Sequence, residues 1–123
     1  MDELMIETAA GKYEGERIVN LSGPFVLQGV FEFQSLVRAS SDPVTIVDLT
    51  HVPFMDSAAL GAVMGLHASA QRQGRKYALV GASERLRTLF EVAGVAKILV
   101  TYPNLAEAEQ KLGLSQGIAK PAP

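Results

Sequence analysis

Apolar and polar residues alternate along this chain in blocks that predict strands and helices in turn. The most regular block is an apolar run over residues 44–49, whose β-branched side chains are typical of a strand covered on both faces. Pro53 ends that run, and residues 57–73 then form a helical segment rich in Ala, Leu and Met, with Gly74 placed to terminate it. This strand, loop and helix form the centre of the predicted fold.

The N-terminal part of the chain predicts a hairpin followed by a helix. Residues 5–8 and 17–22 are predicted strands, and the polar, glycine-containing stretch between them favours antiparallel pairing. Residues 26–39 have apolar side chains at helical spacing, in two adjoining stripes. We therefore expect this helix to have a wide apolar face and to be buried on more than one side.

The C-terminal part of the chain predicts two further strands and two further helices. The strands are expected at residues 77–81 and 98–101. Ser83 is placed to cap the helix between them. Asn104, with Glu107 three residues later, is placed to cap a final helix.

The order of these elements predicts a single α/β domain. A mostly parallel sheet with an N-terminal β-hairpin and about four helices accounts for the alternation of strands and helices. The domain is expected to occupy residues 1–112. Residues 113–123 contain two prolines and few large apolar side chains, so they are expected to be a flexible C-terminal tail. The order of the strands within the sheet does not follow from the pattern.

Composition narrows the classes of function. Hydrophobic residues make up 48% of the 123 residues, charged residues 20%, and the net charge is −2, so nothing favours binding to nucleic acid or insertion into a membrane. The absence of cysteine excludes disulfides and thiolate chemistry, and two histidines are too few for a histidine-built metal centre. The first residues lack the basic and apolar segments of a signal peptide, so a cytoplasmic location is expected.

Motifs for catalysis and cofactor binding are missing from the sequence. There is no Gly-x-x-x-x-Gly-Lys or Gly-x-Gly-x-x-Gly phosphate-binding loop. His51 and His67 are far apart and lack a carboxylate at motif spacing. Residues 81–83 begin like a nucleophile elbow, but Arg85 stands where the second glycine is required. The sequence therefore predicts neither an enzyme nor a bound cofactor.

The candidate chemistry lies at Asp56 and Ser57, where the central helix is predicted to begin. Either side chain can cap the helix, a common structural role worth about 1 kcal/mol. The alternative for Ser57 is a phosphorylation site, because the N-terminus of a helix can hold a phosphate. A phosphate adds about −1.5 to −2 charges and would repel a partner that fits the bare serine. Asp56 is also a candidate contact for that partner.

The residues next to the start of the helix form a candidate partner-binding surface. Ala58 and Gly61 are small, and Gly65 follows one turn later, so we expect the backbone of this helix to approach the sheet or a partner closely. Met55 and Met64 either give an adaptable apolar docking surface or fill the core. Both roles remain open from the sequence.

The segments IVDLT (46–50) and FMDSAALG (54–61) resemble the core motif of the STAS domain family, the anti-sigma factor antagonists and their relatives. The resemblance extends over about residues 6–112 and implies a STAS-like fold. In phosphorylated members the serine after the aspartate is the phosphoacceptor, so the resemblance implies Ser57 in that role. It also implies two partners, an anti-sigma factor serine kinase that binds and phosphorylates the chain and a phosphatase that reverses the modification.

The sequence departs from the family pattern in two places. Ala59 stands where the family usually has glycine, and residues 24–26, Pro-Phe-Val, replace a segment that is often acidic.

The first hypothesis for the function of the chain is an anti-sigma factor antagonist switched by phosphorylation of Ser57. The alternative is a STAS interaction subunit of a transporter or a larger signalling complex that is not phosphorylated. A third hypothesis, a small enzyme or a nucleotide- or lipid-binding domain, would need an enclosed apolar pocket, and the oligomeric state is not predicted.

Overall fold

The computed structural model describes residues 3–116, which form five strands and four helices. The strands are β1 (Met5–Ala10), β2 (Glu16–Ser22), β3 (Val44–His51), β4 (Lys76–Val80) and β5 (Thr101–Tyr102). The helices are α1 (Leu27–Ala39), α2 (Ser57–Gln73), α3 (Glu84–Val92) and α4 (Leu105–Lys111), followed by a 3-10 helix at Leu114–Gln116.

The strands lie in the sheet in the same order as in the sequence, from β1 at one edge to β5 at the other. Strands β1 and β2 are antiparallel, whereas every later pair of neighbours is parallel. A helix connects the strands of each parallel pair, because parallel neighbours need a crossover connection rather than a tight turn. These features confirm the predicted mostly parallel sheet with an N-terminal hairpin and about four helices.

Each face of the sheet has its own hydrophobic core. On one face, Val47 and Leu49 of β3 pack in a cluster with Phe33 of α1, Val63 of α2 and Phe90 of α3. The other face carries a smaller cluster formed by strands β2, β3 and β4 together with α4 and the 3-10 helix. Strand β3 is therefore covered on both faces, as its continuous apolar run predicts.

The ends of three helices are fixed by the local chemistry that the sequence indicates. Ser83 accepts a hydrogen bond from the backbone N–H of Leu86, 3.2 Å away, at the start of α3. Asn104 accepts one from the N–H of Glu107 at 2.9 Å, at the start of α4. Gly74 ends α2 with a φ of +66°, a left-handed conformation that side chains disfavour.

The prediction that α1 is buried on more than one side is wrong. Phe33 is its only fully buried side chain, and Val30 and Val37 are partly buried beside it. Leu27 and Phe31 lie in the second apolar stripe and remain 65% and 78% exposed. Helix α1 therefore packs on the sheet and α2 with one stripe and presents the other to solvent.

The C-terminal part of the structure differs from the prediction at two points. The last strand is Thr101–Tyr102 rather than residues 98–101, because residues 96–99 form a turn that buries Leu99. Within the predicted tail, Leu114 is buried in the 3-10 helix against α4. Residues 117–123 of that predicted tail lie outside the described residues.

Across residues 3–116, the helices all fall short of the length and apolar character needed to span a bilayer.

Candidate functional site

The loop after β2 and the loop after β3 lie side by side at the carboxyl edge of the sheet. The backbone N–H of Phe25 donates to the carbonyl of Phe54 at 3.0 Å, and the N–H of Asp56 donates back to the carbonyl of Phe25 at 3.2 Å. Phe25 and Met55 form a parallel β-bridge, and the Phe25 side chain is fully buried. These contacts bring the N-termini of α1 and α2 next to each other.

The carboxylate of Asp56 caps both helices. One oxygen, Oδ1, accepts the backbone N–H of Ala59 at 2.9 Å, which is the usual N-cap bond for α2. The other oxygen, Oδ2, accepts the N–H of Leu27, the first residue of α1, at 3.0 Å. Val26, at the cap position of α1, makes no side-chain cap bond of its own. Capping of α2 follows from the sequence, whereas the bond to α1 depends on a tertiary contact that the sequence does not indicate.

Ser57 is the first residue of α2, and its side chain is exposed to solvent. Since both oxygens of Asp56 accept backbone N–H groups, the aspartate holds the loop rather than orienting the serine hydroxyl. Ala58 is half-buried, and Ala59, which replaces the family glycine, is fully buried under the helix. A macromolecule can therefore reach the Ser57 hydroxyl at the positive end of a helix dipole.

The exposed side of α2 is lined by glycine. A Cβ atom added at Gly61 or Gly65 would meet no atom of the described chain within 4 Å, apart from the helix itself. The expected close approach of this backbone to the sheet is therefore wrong. The glycines instead leave the surface of α2 flat and open next to Ser57, so the other expected role, close approach by a partner, remains available.

The two methionines take different roles. Met55 is only 7% exposed and packs in the hydrophobic core, so its proposed place in a docking surface is wrong and the core role is correct. Met64 is half-buried and packs against the edge of the same core.

Phe54 is 38% exposed, and the guanidinium of Arg85 lies 5.3 Å from the centre of its ring. An aromatic ring and a cation thus stand beside the loop that leads to Ser57.

The segment that replaces the acidic residues of the family is apolar in the structure as well as in the sequence. Pro24 and Val26 are half-buried on either side of the buried Phe25. Together with Leu4 and Phe54 they line an open cleft of about 620 Å³, which Glu3 and Glu32 also border. The cleft opens to solvent at the edge of the sheet and is not an enclosed cavity.

His67 has a structural role. Its Nδ1 lies 2.7 Å from the hydroxyl of Tyr77, and that hydroxyl also accepts the backbone N–H of Val100 at 3.0 Å. Burial raises the pKa of Tyr77 above its ordinary value, so the phenol stays protonated. The pair fixes α2 to β4 and to the turn before β5, away from Ser57.

A buried pair of carboxyl groups lies on the other face of the sheet. Glu16 at the start of β2 and Glu109 on α4 are 3% and 4% exposed and lie next to each other, and the Oε2 atom of each is buried without a hydrogen-bond partner among residues 3–116. Burial, the hydrogen bond that a protonated Glu16 can donate to Glu109, and the charge of Glu109 together raise the pKa of Glu16 to about 7. Lys12 is 3.9 Å from Glu109, and the N–H of Tyr13 donates to Glu16 at 3.3 Å. The pair lies outside the Ser57 site, and no local motif in the sequence marks it.

Comparisons with known proteins agree with this geometry. The family model described as "STAS domain" matches residues 7–108. An anti-sigma-B factor antagonist from Listeria monocytogenes is 40% identical over 53 residues, which are 43% of this chain and 46% of the relative. The match thus spans about half the length of the curated relatives.

Two solved structures have the same fold. An anti-sigma factor antagonist from Mycobacterium paratuberculosis has a TM-score of 0.78 at 19% identity, over 89% of this chain and 93% of that one. A sulfate transporter family protein from Wolinella succinogenes has a TM-score of 0.73 at 21% identity, over 88% of this chain and 92% of that one. At these identities the likeness is one of fold alone.

Proposed function

The chain belongs to the STAS domain family, and on that premise we propose that it is an anti-sigma factor antagonist that acts by binding. Its surface around Ser57 would bind an anti-sigma factor and so free a sigma factor. The observation that carries the proposal is the exposed hydroxyl of Ser57 at the first position of α2, beside the start of α1. The curated relatives named anti-sigma-B factor antagonists support the same role.

The proposed switch is phosphorylation of Ser57 by a serine-kinase anti-sigma factor, with removal of the phosphate by a phosphatase. Free N–H groups and the positive end of the α2 dipole would accommodate the phosphate in the free protein. In a complex, the same phosphate would place about two negative charges at the surface of a partner whose binding site fits a small neutral side chain. Phosphorylation would therefore dissociate the complex without unfolding the domain.

The neighbourhood of Ser57 supports a large effect of the added charge. Gly61 and Ala58 carry no charge, and residues 24–26 contribute only apolar side chains on the adjoining loop. Asp56 already places one carboxylate next to the serine. A phosphate here would be desolvated by any close-fitting partner and would meet a like charge at once.

The proposal is tested by incubating the purified chain with ATP and each serine-kinase anti-sigma factor of the same organism. Intact-mass spectrometry should reveal one phosphate per chain, and the Ser57→Ala variant should remain unmodified. A complex should form with the unmodified chain and should be lost once the phosphate is added. If every kinase of this class leaves the chain both unmodified and unbound, the proposal is wrong.

The second candidate function is that of an interaction subunit that is never phosphorylated. It is favoured by the apolar residues 24–26, which stand where phosphorylated relatives often have acidic ones. The likeness of fold to a sulfate transporter family protein is consistent with it. Stable binding to a partner without any phosphate adduct would favour this candidate over the switch. For either candidate we propose a cytoplasmic protein without catalytic activity.

A further inference from the structure

Helices α1 and α2 run side by side from the carboxyl edge of the sheet and leave a groove between them. The residues that border this groove extend, by helical spacing, into one stripe on each helix. The α1 stripe consists of Leu27, Phe31, Gln34 and Arg38, and the α2 stripe consists of Ser57, Gly61, Gly65, Ala68 and Arg72. The half of the groove remote from Ser57 is a hollow of about 200 Å³, which Gln34 and Arg38 border on one side and Gly65, Ala68 and Arg72 on the other.

The groove changes in character along its length. At the end near Ser57, Leu27 and Phe31 are 65% and 78% exposed, although both are large and apolar. By helical spacing they share one face of α1 with Gln34 and Arg38, which border the hollow, and the glycines of α2 leave open space along their own helix. Two large apolar side chains left exposed on the same face of one helix favour an interaction site there.

The opposite end of the groove is basic. Arg38 and Arg72 are both exposed, and neither forms an ion pair within residues 3–116. No acidic residue borders the hollow between the helices. The two guanidinium groups therefore give this end a positive potential that an acidic partner segment would neutralise.

We infer that the groove between α1 and α2 binds an amphipathic helix of the partner, with its apolar residues over Phe31 and its acidic residues at Arg38 and Arg72. This inference rests on the proposed function, since it extends the surface around Ser57 and specifies what occupies it. Glycine on α2 lets a second backbone come close, and a groove between two helices is the usual seat for an apolar helix face. A concave site fits a helix better than a lipid surface, which would need its cations on a protruding face.

The inference is tested by selecting binders from a display library of 20-residue helical peptides on the immobilised, full-length chain. Selected peptides should carry an apolar face and a cluster of Asp or Glu near one end. Their affinity should fall at least about tenfold for the Arg38→Glu/Arg72→Glu variant, since two attractive pairs become repulsive. The Phe31→Ser variant should weaken the same peptides to a similar extent by removing an apolar anchor.

Matched controls lie on the exposed side of α3 and the turn after it. The variant Arg87→Glu/Lys97→Glu makes the same change in net charge, and Val92→Ser removes an apolar side chain that is 82% exposed. Neither control should alter peptide affinity, and thermal melts should show that all four variants fold. Peptides that lack acidic residues, or that bind the groove variants as tightly as the controls, would overturn the inference. So would binding to phosphatidylglycerol vesicles in place of peptides.

The inference and the proposed function can fail separately. If a serine-kinase anti-sigma factor binds in a manner that depends on Ser57 but is indifferent to Arg38→Glu/Arg72→Glu, the groove is not its seat and only the inference falls. If acidic helices select the groove while no anti-sigma factor binds the chain, the groove stands as a docking site and the proposed function falls.

Discussion

The Asp56 carboxylate accepts the backbone N–H of Leu27 at 3.0 Å, although the two residues are 29 positions apart in the sequence. The same carboxylate caps its own helix through Ala59. One side chain thus fixes the spacing between the N-termini of α1 and α2, the two elements that frame Ser57. We expect its loss to affect both helices at once.

The Asp56→Ala variant should lower the free energy of unfolding by about 2 kcal/mol, because each lost cap costs about 1 kcal/mol. Urea titration followed by circular dichroism measures this directly. The control is Asn104→Ala, which removes a cap that serves α4 alone and should cost about 1 kcal/mol. Equal losses in the two variants would mean that the bond to Leu27 contributes nothing to stability.

The Ser57→Asp variant should lose binding to the anti-sigma factor by at least about tenfold, since it places a charge where a partner fits a neutral side chain. Ser57→Ala should bind as the wild type does. Both should unfold within about 1 kcal/mol of the wild type, because the residue is exposed and an acid at the first helical position suits the dipole.

Calorimetric titration of the purified pair measures these affinities. Asn104→Asp adds the same charge at the N-terminus of α4 and serves as the control, which should leave binding intact. Wild-type affinity for Ser57→Asp would contradict the proposed switch.

The variants Gly61→Ala and Gly65→Ala should each raise the free energy of unfolding by about 0.5–1 kcal/mol. A methyl group at either position meets only open space, and alanine favours the helix more than glycine does. The same variants should weaken binding of the partner, because they fill the surface that a second backbone would approach. Thermal melts and binding titrations on one set of samples measure both effects.

The contrasting variant is Gly81→Ala. Gly81 has a φ of +73°, and a Cβ atom there would overlap the side chain of Thr50. This substitution should therefore destabilise the fold by about 1 kcal/mol or more. If Gly61→Ala were as destabilising as Gly81→Ala, the exposed side of α2 would not be open in the free protein.

The buried Glu16 carboxyl should make stability depend on pH between about 4.5 and about 7. Its pKa in the folded state is about 7 against an ordinary value of 4.5, so the folded chain retains a proton that the unfolded chain has lost. The free energy of unfolding should fall as the pH rises through this window, by up to about 3 kcal/mol, and then level off. Urea titrations at pH 5, 6, 7 and 8 measure the slope.

The Glu16→Gln variant should abolish most of that slope, since an amide remains neutral and can still hydrogen-bond to Glu109. Glu91→Gln at an exposed position of α3 is the control and should leave the slope unchanged. Asp42 does not interfere, because its hydrogen bond from Arg17 lowers its pKa, and the resulting loss of stability occurs only below about pH 4. A profile that stays flat from pH 5 to 8 in the wild type would contradict the assignment.

Features that depend on neighbouring residues could be predicted from the sequence. The caps at Ser83 and Asn104 and the terminating Gly74 each follow from chemistry within one helical turn. The alternation of strands and helices gave the fold class for the same reason, because hydrophobic period is a local property. The start of α2 at Ser57 was likewise predictable from the proline and the cap residue just before it.

Features that depend on tertiary contacts could not be predicted in the same way. The sequence does not show whether a neighbour covers an apolar side chain, so its pattern predicts burial of Phe31, which is 78% exposed, and leaves the role of Met55 open. The second bond of Asp56, to Leu27, exists only because the two loops are paired through Phe25. Glu16 carries no local sign of burial, because its environment is supplied by α4, which lies far along the chain.

The sequential order of the strands has a consequence for how the chain folds. Each strand pairs with the strand before it in the sequence, so every pairing in the sheet spans at most one intervening helix. The folding rate of small domains falls as the average separation of contacting residues along the sequence increases. The sheet can therefore assemble from the hairpin towards β5 by adding one helix and one strand at a time, and we expect it to fold faster than an α/β domain of the same length whose neighbouring strands are distant in the sequence.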